Sequence, residues 1–103
     1  MIFIYVPCRS LDAAKIVAKI LVEKRMAGSV DIMPVNSVFQ VSSGAAETEG
    51  AVMIIKTIDK HIQGIEDIVR EHHQNENGTP CIASISLYRL NRDFKDRLIA
   101  ATT

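Results

Sequence analysis

The stretch Ala51-Val52-Met53-Ile54-Ile55 runs apolar without a break and closes on Lys56 and Thr57. A strand with one wet face alternates apolar and polar residues. An unbroken run of this kind therefore describes a strand covered on both faces. A second such run, Ile2-Phe3-Ile4-Tyr5-Val6, opens the chain, and Pro7 is expected to end it. The rest of the sequence has to be arranged around these two interior strands.

Upstream of Ala51, Ser42 to Gly50 is small and polar and reads as a hairpin turn, preceded by a long Val-, Ile- and Phe-rich strand over Ser29–Val41. The apolar parity of that strand changes at Pro34, which predicts a bulge or bend there and a place at a sheet edge. Between the first two strands, Ala13, Ile16, Val17, Ile20 and Leu21 recur at helical spacing. Ser10 is the expected N-cap of this helix, Asp12 suits its first turn, and Gly28 is the expected stop. Downstream of Thr57, Ile58, Ile62, Ile65, Ile68 and Val69 trace a second helical face, with Thr57 or Asp59 as its cap and Gly64 as a weak point. Gln74–Pro80 is a polar loop. Ile82–Tyr88 alternates, as a half-exposed strand does. Asn91 is the expected cap of a short last helix carrying Phe94 and Leu98.

The order is β-α-β-β-α-β plus a C-terminal helix: an α+β, ferredoxin-like domain, residues 1–103, with an antiparallel sheet ordered 4-1-3-2. The order explains the two unbroken runs, because strands one and three are then central. Two helices cover one face of such a sheet. The other apolar face needs a cover that the chain does not itself supply, and a second copy of the chain is the expected one.

Composition narrows the classes of function. In 103 residues, Lys plus Arg (12) equals Asp plus Glu (12), so no basic excess points to nucleic acid or an anionic membrane. No segment approaches the roughly 20 apolar residues that cross a bilayer. The opening residues lack the basic start and small-residue cleavage site of a signal peptide, so the expected location is cytoplasmic. Two cysteines do not make a disulfide framework.

Topology gathers the chemistry at one end of the sheet. Strand one finishes at Cys8, helix two at His72 and His73, strand four starts beside Cys81, and the hairpin with Glu47 and Glu49 turns at the same end. Thiols and imidazoles suit soft or borderline ions such as Cu(I) and Zn(II). Cys8, Cys81 and His73 are the candidate metal ligands, with a fourth position open or filled from a neighbouring subunit. His72 and His73 project roughly 100° apart on a helix and are not expected to face one ion. His61, about three turns earlier, is too far away to join them. The competing reading is structural: cysteines outside disulfides pack as small hydrophobes, and histidines at a helix C-terminus favour its dipole. Glu49 reads as a solvated hairpin residue. Lys56, a charge at the end of a buried strand, is a candidate anion-binding group at an interface or a salt-bridge partner.

Several stretches resemble the CutA divalent-cation tolerance family. Leu21-Val-Glu-Lys-Arg-Met-Ala-Gly-Ser-Val-Asp-Ile32 is similar to the family pattern L-V-E-x-R-L-A-A-C-V-N-I. Val52-Met-Ile-Ile-Lys-Thr57 resembles the family's apolar strand ending in Lys-Thr, Arg70-Glu-His-His73 its second helix end, and Ser37-Val-Phe39 its Ser-x-Tyr hairpin. The departures are Val41 in place of a Trp, Ser29 in place of a Cys, Gly50 in place of an acidic residue, and Cys81 in place of a Glu after a loop two residues longer. The resemblance implies a ferredoxin-like homotrimer joined by long hairpins and a link to copper or other divalent cations. The alternative is a regulatory, small-molecule-binding or protein-interaction trimer of the PII kind, without metal, although no long loop separates strands two and three. An acylphosphatase would need a glycine-bearing anion loop around Arg9, and an RNA-binding domain would need aromatics on strand three. Neither is present. No catalytic triad, carboxylate pair or nucleotide motif stands out, so the chain does not read as an enzyme.

Overall fold

A computed structural model of the protein describes residues 1–73 and 78–103. Its elements are β1 (Ile2–Cys8), α1 (Leu11–Glu23), β2 (Ser29–Val41), β3 (Gly44–Thr57), α2 (Ile62–His73), β4 (Ala83–Ser86) and α3 (Arg92–Thr102), with a 3-10 turn over Asp59–His61 before α2. The sheet is antiparallel in the order β2-β3-β1-β4, which places β1 and β3 inside, as the two unbroken apolar runs require. Part of the loop expected at Gln74–Pro80, residues 74–77, lies outside the described residues.

Alternation along the strands sorts side chains between two faces. Ile2, Ile4 and Val6 of β1 and Ala51, Met53 and Ile55 of β3 point toward α1 and α2, where they pack with Leu21 and Ile65. Phe3, Tyr5, Ile54 and Met33 lie on the opposite face, which no helix of the α1–α2 layer covers. Tyr5 and Met33 are exposed there. α3 closes the end of the sheet, with Leu98 buried against Gly28.

Three local expectations are corrected. Pro7 does not end β1. It stays in the strand opposite Val52, and the strand runs on to Cys8. Pro34 causes no bulge, because β2 and β3 pair residue for residue from Ser29↔Lys56 to Val41↔Gly44. Its missing N–H is harmless on an edge strand. The hairpin turn is Ser42–Ser43 alone. Gly44, at φ 134°, takes the positive-φ backbone, and residues 45–50, read from sequence as turn, belong to β3. The result is a long two-stranded arm, and the molecule measures 49 × 26 × 20 Å.

The helix ends also differ. Ser10 caps α1 as expected, accepting a 3.0 Å hydrogen bond from the Ala13 N–H. The stop is not Gly28 but Arg25, at φ 59°. Met26 N–H donates to the Leu21 carbonyl (2.9 Å) and Arg25 N–H to that of Val22 (3.0 Å), the Schellman pattern with an arginine where glycine is usual. Arg25 also donates through Nη2 to the Ala100 carbonyl at 2.8 Å, a contact glycine could not make. No side chain caps the 3-10 turn that leads into α2. Asn91 stands at the N-cap of α3, but its side chain donates to Asp93 (2.6 Å) rather than accepting from the helix backbone.

Candidate functional site

Cys8 continues the inward alternation of Ile4 and Val6, so its side chain enters the helix layer beyond the core. In α2 the buried line runs through Ile65 and Val69 and reaches the helix end at His72, which is exposed, and His73, which is half-buried. His73 flanks the same line. Between these elements and the first turns of α1 lies a cleft of about 100 Å³, lined by Cys8, Ala13, Val17, Val69, His72 and His73 among others. The sequence places both histidines at this end and leads one to expect that only one faces an ion; in the structure both line the cleft.

The backbone sets which nitrogen of each neutral ring carries the hydrogen. Nδ1 of His72 lies 2.9 Å from the Ile68 carbonyl, and Nε2 of His73 lies 3.3 Å from that of Gly78. A carbonyl only accepts, so the ring nitrogen facing it carries the hydrogen, and in a neutral imidazole the other nitrogen carries the lone pair. The Cys8 thiol donates weakly to the Val6 carbonyl at 3.7 Å.

Cys81 does not line this cleft and is exposed. Cys81 lies two residues before β4, whose pairing with β1 begins at Ala83↔Tyr5. Both thiols are outside disulfides. Among the described residues, no group of three or more His, Cys, Asp or Glu is arranged to hold a metal ion. His61 is remote from the cleft and hydrogen-bonds the Thr102 carbonyl at 2.7 Å.

Lys56, on the uncovered face, forms a 2.8 Å ion pair with Asp31 and sits 5.8 Å from the Phe94 ring centroid, within range of a cation–π contact. Glu49 is exposed on β3. It lines a larger open cleft of about 720 Å³ with Arg9, Ser10, Asp12, Asn36 and Gly50, between the start of α1 and the base of the arm. Gly50 is fixed by sterics, because a Cβ there would stand 2.6 Å from the Cys8 carbonyl oxygen. The close approach holds β3 against the end of β1. It also explains why an acidic residue does not fit at that position in this chain.

A split β-α-β subunit with an extended β2–β3 arm and a thiol–imidazole cleft at the end of its central strand is the class of protein these features define. Comparison with known sequences gives the family: the chain belongs to the CutA1 divalent ion tolerance protein family, whose profile matches residues 2–100. The divalent-cation tolerance protein CutA of Archaeoglobus fulgidus is 34% identical over 94 residues, covering 91% of this chain and 90% of that protein. A solved structure, described as the periplasmic divalent cation tolerance protein CutA from Archaeoglobus fulgidus, superposes with a TM-score of 0.91 at 32% identity over 100% of both chains. Protein CutA of Homo sapiens is 32% identical over 73 residues, which are 70% of this chain and 41% of the human protein.

Proposed function

We propose that this chain acts in divalent-cation tolerance as a homotrimeric binding protein, not an enzyme, and that it takes up a soft or borderline ion, copper or zinc, at the Cys8 end of the sheet. The observation that carries the reading is the cleft in which Cys8 meets the histidines of α2. Family membership supports the cellular role. The apolar uncovered face and the projecting arm support self-association. Cys8, Cys81 and His73 remain the ligand set to test, although Cys81 does not line the cleft. A cytoplasmic location is part of the proposal, in keeping with two cysteines that form no disulfide.

Titration of Cu(I) and Zn(II) into reduced protein, beside a Cys8→Ser, Cys81→Ser double variant, tests the metal. Stoichiometric binding that the double variant loses is the expected result, and equal binding by both proteins removes the site. Sedimentation equilibrium is expected to give three times the subunit mass.

The large cleft at the base of the arm favours a second reading, a PII-like trimer that binds a small polar molecule beside Arg9, Asp12 and Glu49. Absence of metal binding together with a ligand-induced rise in Tm lost on Arg9→Ala would favour it over the first.

A further inference from the structure

We propose that the open cleft between the start of α1 and the base of the arm binds a basic amino acid, with Arg9 taking its carboxylate and Asp12 and Glu49 its two cationic groups. The inference rests on the ligand-binding reading given second above and names the class of ligand.

Three parts of the fold build the cleft. The chain delivers Arg9 as it leaves β1, the first turn of α1 supplies Leu11 and Asp12, and the arm supplies Val35, Asn36 and Glu49. The β2–β3 register sets Asn36 directly opposite Glu49, so amide and carboxylate share one face of the arm. At about 720 Å³ the space lies in the range of small-molecule sites and far exceeds the Cys8 cleft. Gly50 adds only backbone to its wall, because the Cys8 carbonyl leaves no room for a Cβ.

Charge selects the ligand. The charged side chains on the walls are one guanidinium and two carboxylates, so the lining carries one net negative charge. Among the described residues, neither carboxylate enters an ion pair. An ionised carboxylate only accepts, and an ammonium group supplies the donors. Arg9 stays charged, and its planar fork matches a carboxylate through two parallel hydrogen bonds. A dicarboxylate would meet two like charges, and a simple diamine would gain nothing from Arg9. A molecule with one carboxylate and two cationic groups is complementary at each point. Leu11 and Val35 offer apolar surface to the methylene chain between them.

The test is calorimetric titration of the full chain at low salt with L-lysine, L-norleucine, cadaverine and glutarate. All four carry a short methylene chain and differ in charge. Norleucine lacks the side-chain ammonium, cadaverine the carboxylate, and glutarate both cationic groups. L-lysine is expected to bind about tenfold or more tightly than the other three, and to weaken with salt. Arg9→Ala should cost lysine about tenfold and leave cadaverine unchanged, whereas Glu49→Gln should weaken both. Arg9 and Glu49 are exposed and both variants are expected to fold, which far-ultraviolet circular dichroism checks. If glutarate binds best and Arg9→Ala abolishes its binding, the basic amino acid falls and the broader ligand-binding reading stands. If lysine binds but neither substitution changes its affinity, the assignment to this cleft falls. If none of the four binds, the inference falls, and the broader reading falls with it only when a wider set of small polar metabolites also fails to raise Tm.

Discussion

The same pair of strands, β2 and β3, behaves as two different materials along its length. Near the base, Met53 and Ile55 are 0% exposed. On the arm, Val38 is 67% exposed and Phe39 48%. The backbone ladder does not change, because the register runs unbroken from one end to the other. What differs is cover: α1 and α2 lie over the base and, among the described residues, nothing lies over the arm. A bare two-stranded ribbon is marginal in water, so backbone pairing alone does not account for an arm this long. Apolar residues at its exposed positions are those of a surface that meets another chain. The β-hairpin is thus core at one end and interface at the other.

Truncating each end separates the two roles. Ile55→Ala empties a site sealed between the sheet and both helices, and is expected to cost about 2–5 kcal/mol in denaturant unfolding at every protein concentration. Phe39→Ala is expected to act through concentration, lowering the association constant in sedimentation while the dissociated subunit changes by less than about 0.5 kcal/mol. Equal, concentration-independent losses would show that the arm is stabilised within the subunit after all. Gly50→Ala, at the junction of the two regions, drives a methyl group toward the Cys8 carbonyl. Backbone cannot yield as a side-chain tip can, and a loss of about 1–3 kcal/mol is expected. Because the contact is with Cys8 itself, the variant should also weaken Cu(I) binding more than a matched loss of stability at Ile55 does.

The fold was legible because its two decisive strands are apolar on both faces and its helices carry clean periodicity. Ser10 was legible as a cap for the same local reason. The arm was misread. Small and acidic residues between Gly44 and Gly50 look like turn because a strand with no cover needs no apolar face, and periodicity then carries no signal. The α1 stop was misread because Arg25 holds a left-handed backbone for the sake of a contact with Ala100, 75 residues away, which local propensity cannot show. In the candidate site, the topology brought Cys8 and the end of α2 together correctly. It also included Cys81, which is exposed and does not line the cleft. It set His72 aside, although that residue lines the cleft beside His73.

Smaller effects lie in the helices that give the base its cover. Ser10→Ala leaves the Ala13 N–H without its side-chain acceptor and is expected to cost about 1 kcal/mol, spread over the first turn of α1. That turn borders the Cys8 cleft through Ala13. Hydrogen exchange should therefore quicken at residues 11–14 and stay unchanged on the arm, where α1 gives no cover.

The smallest effect belongs to Asp93 in the first turn of α3. A hydrogen bond from the Asn91 side chain, then those from the backbone N–H groups of Asp93 and Phe94, hold its carboxyl below the ordinary carboxylate value, with Arg97 adding in the same direction. The sign follows from linkage. A group whose pKa is lower folded than unfolded contributes stability that is complete above its unfolded value and is lost as pH falls through its folded value. Asp93 is fully exposed, so solvent screens the effect and it is small. Asp93→Asn should therefore leave Tm almost unchanged below the lowered pKa and reduce it slightly near pH 7. Scans of both proteins across that range, at high and low salt, check it. The gap between the two curves should open as pH rises out of the acid range and narrow with salt. A gap that instead widens toward acid would mean that the carboxyl is held in its protonated form, and the arrangement around Asn91 would have to be redrawn.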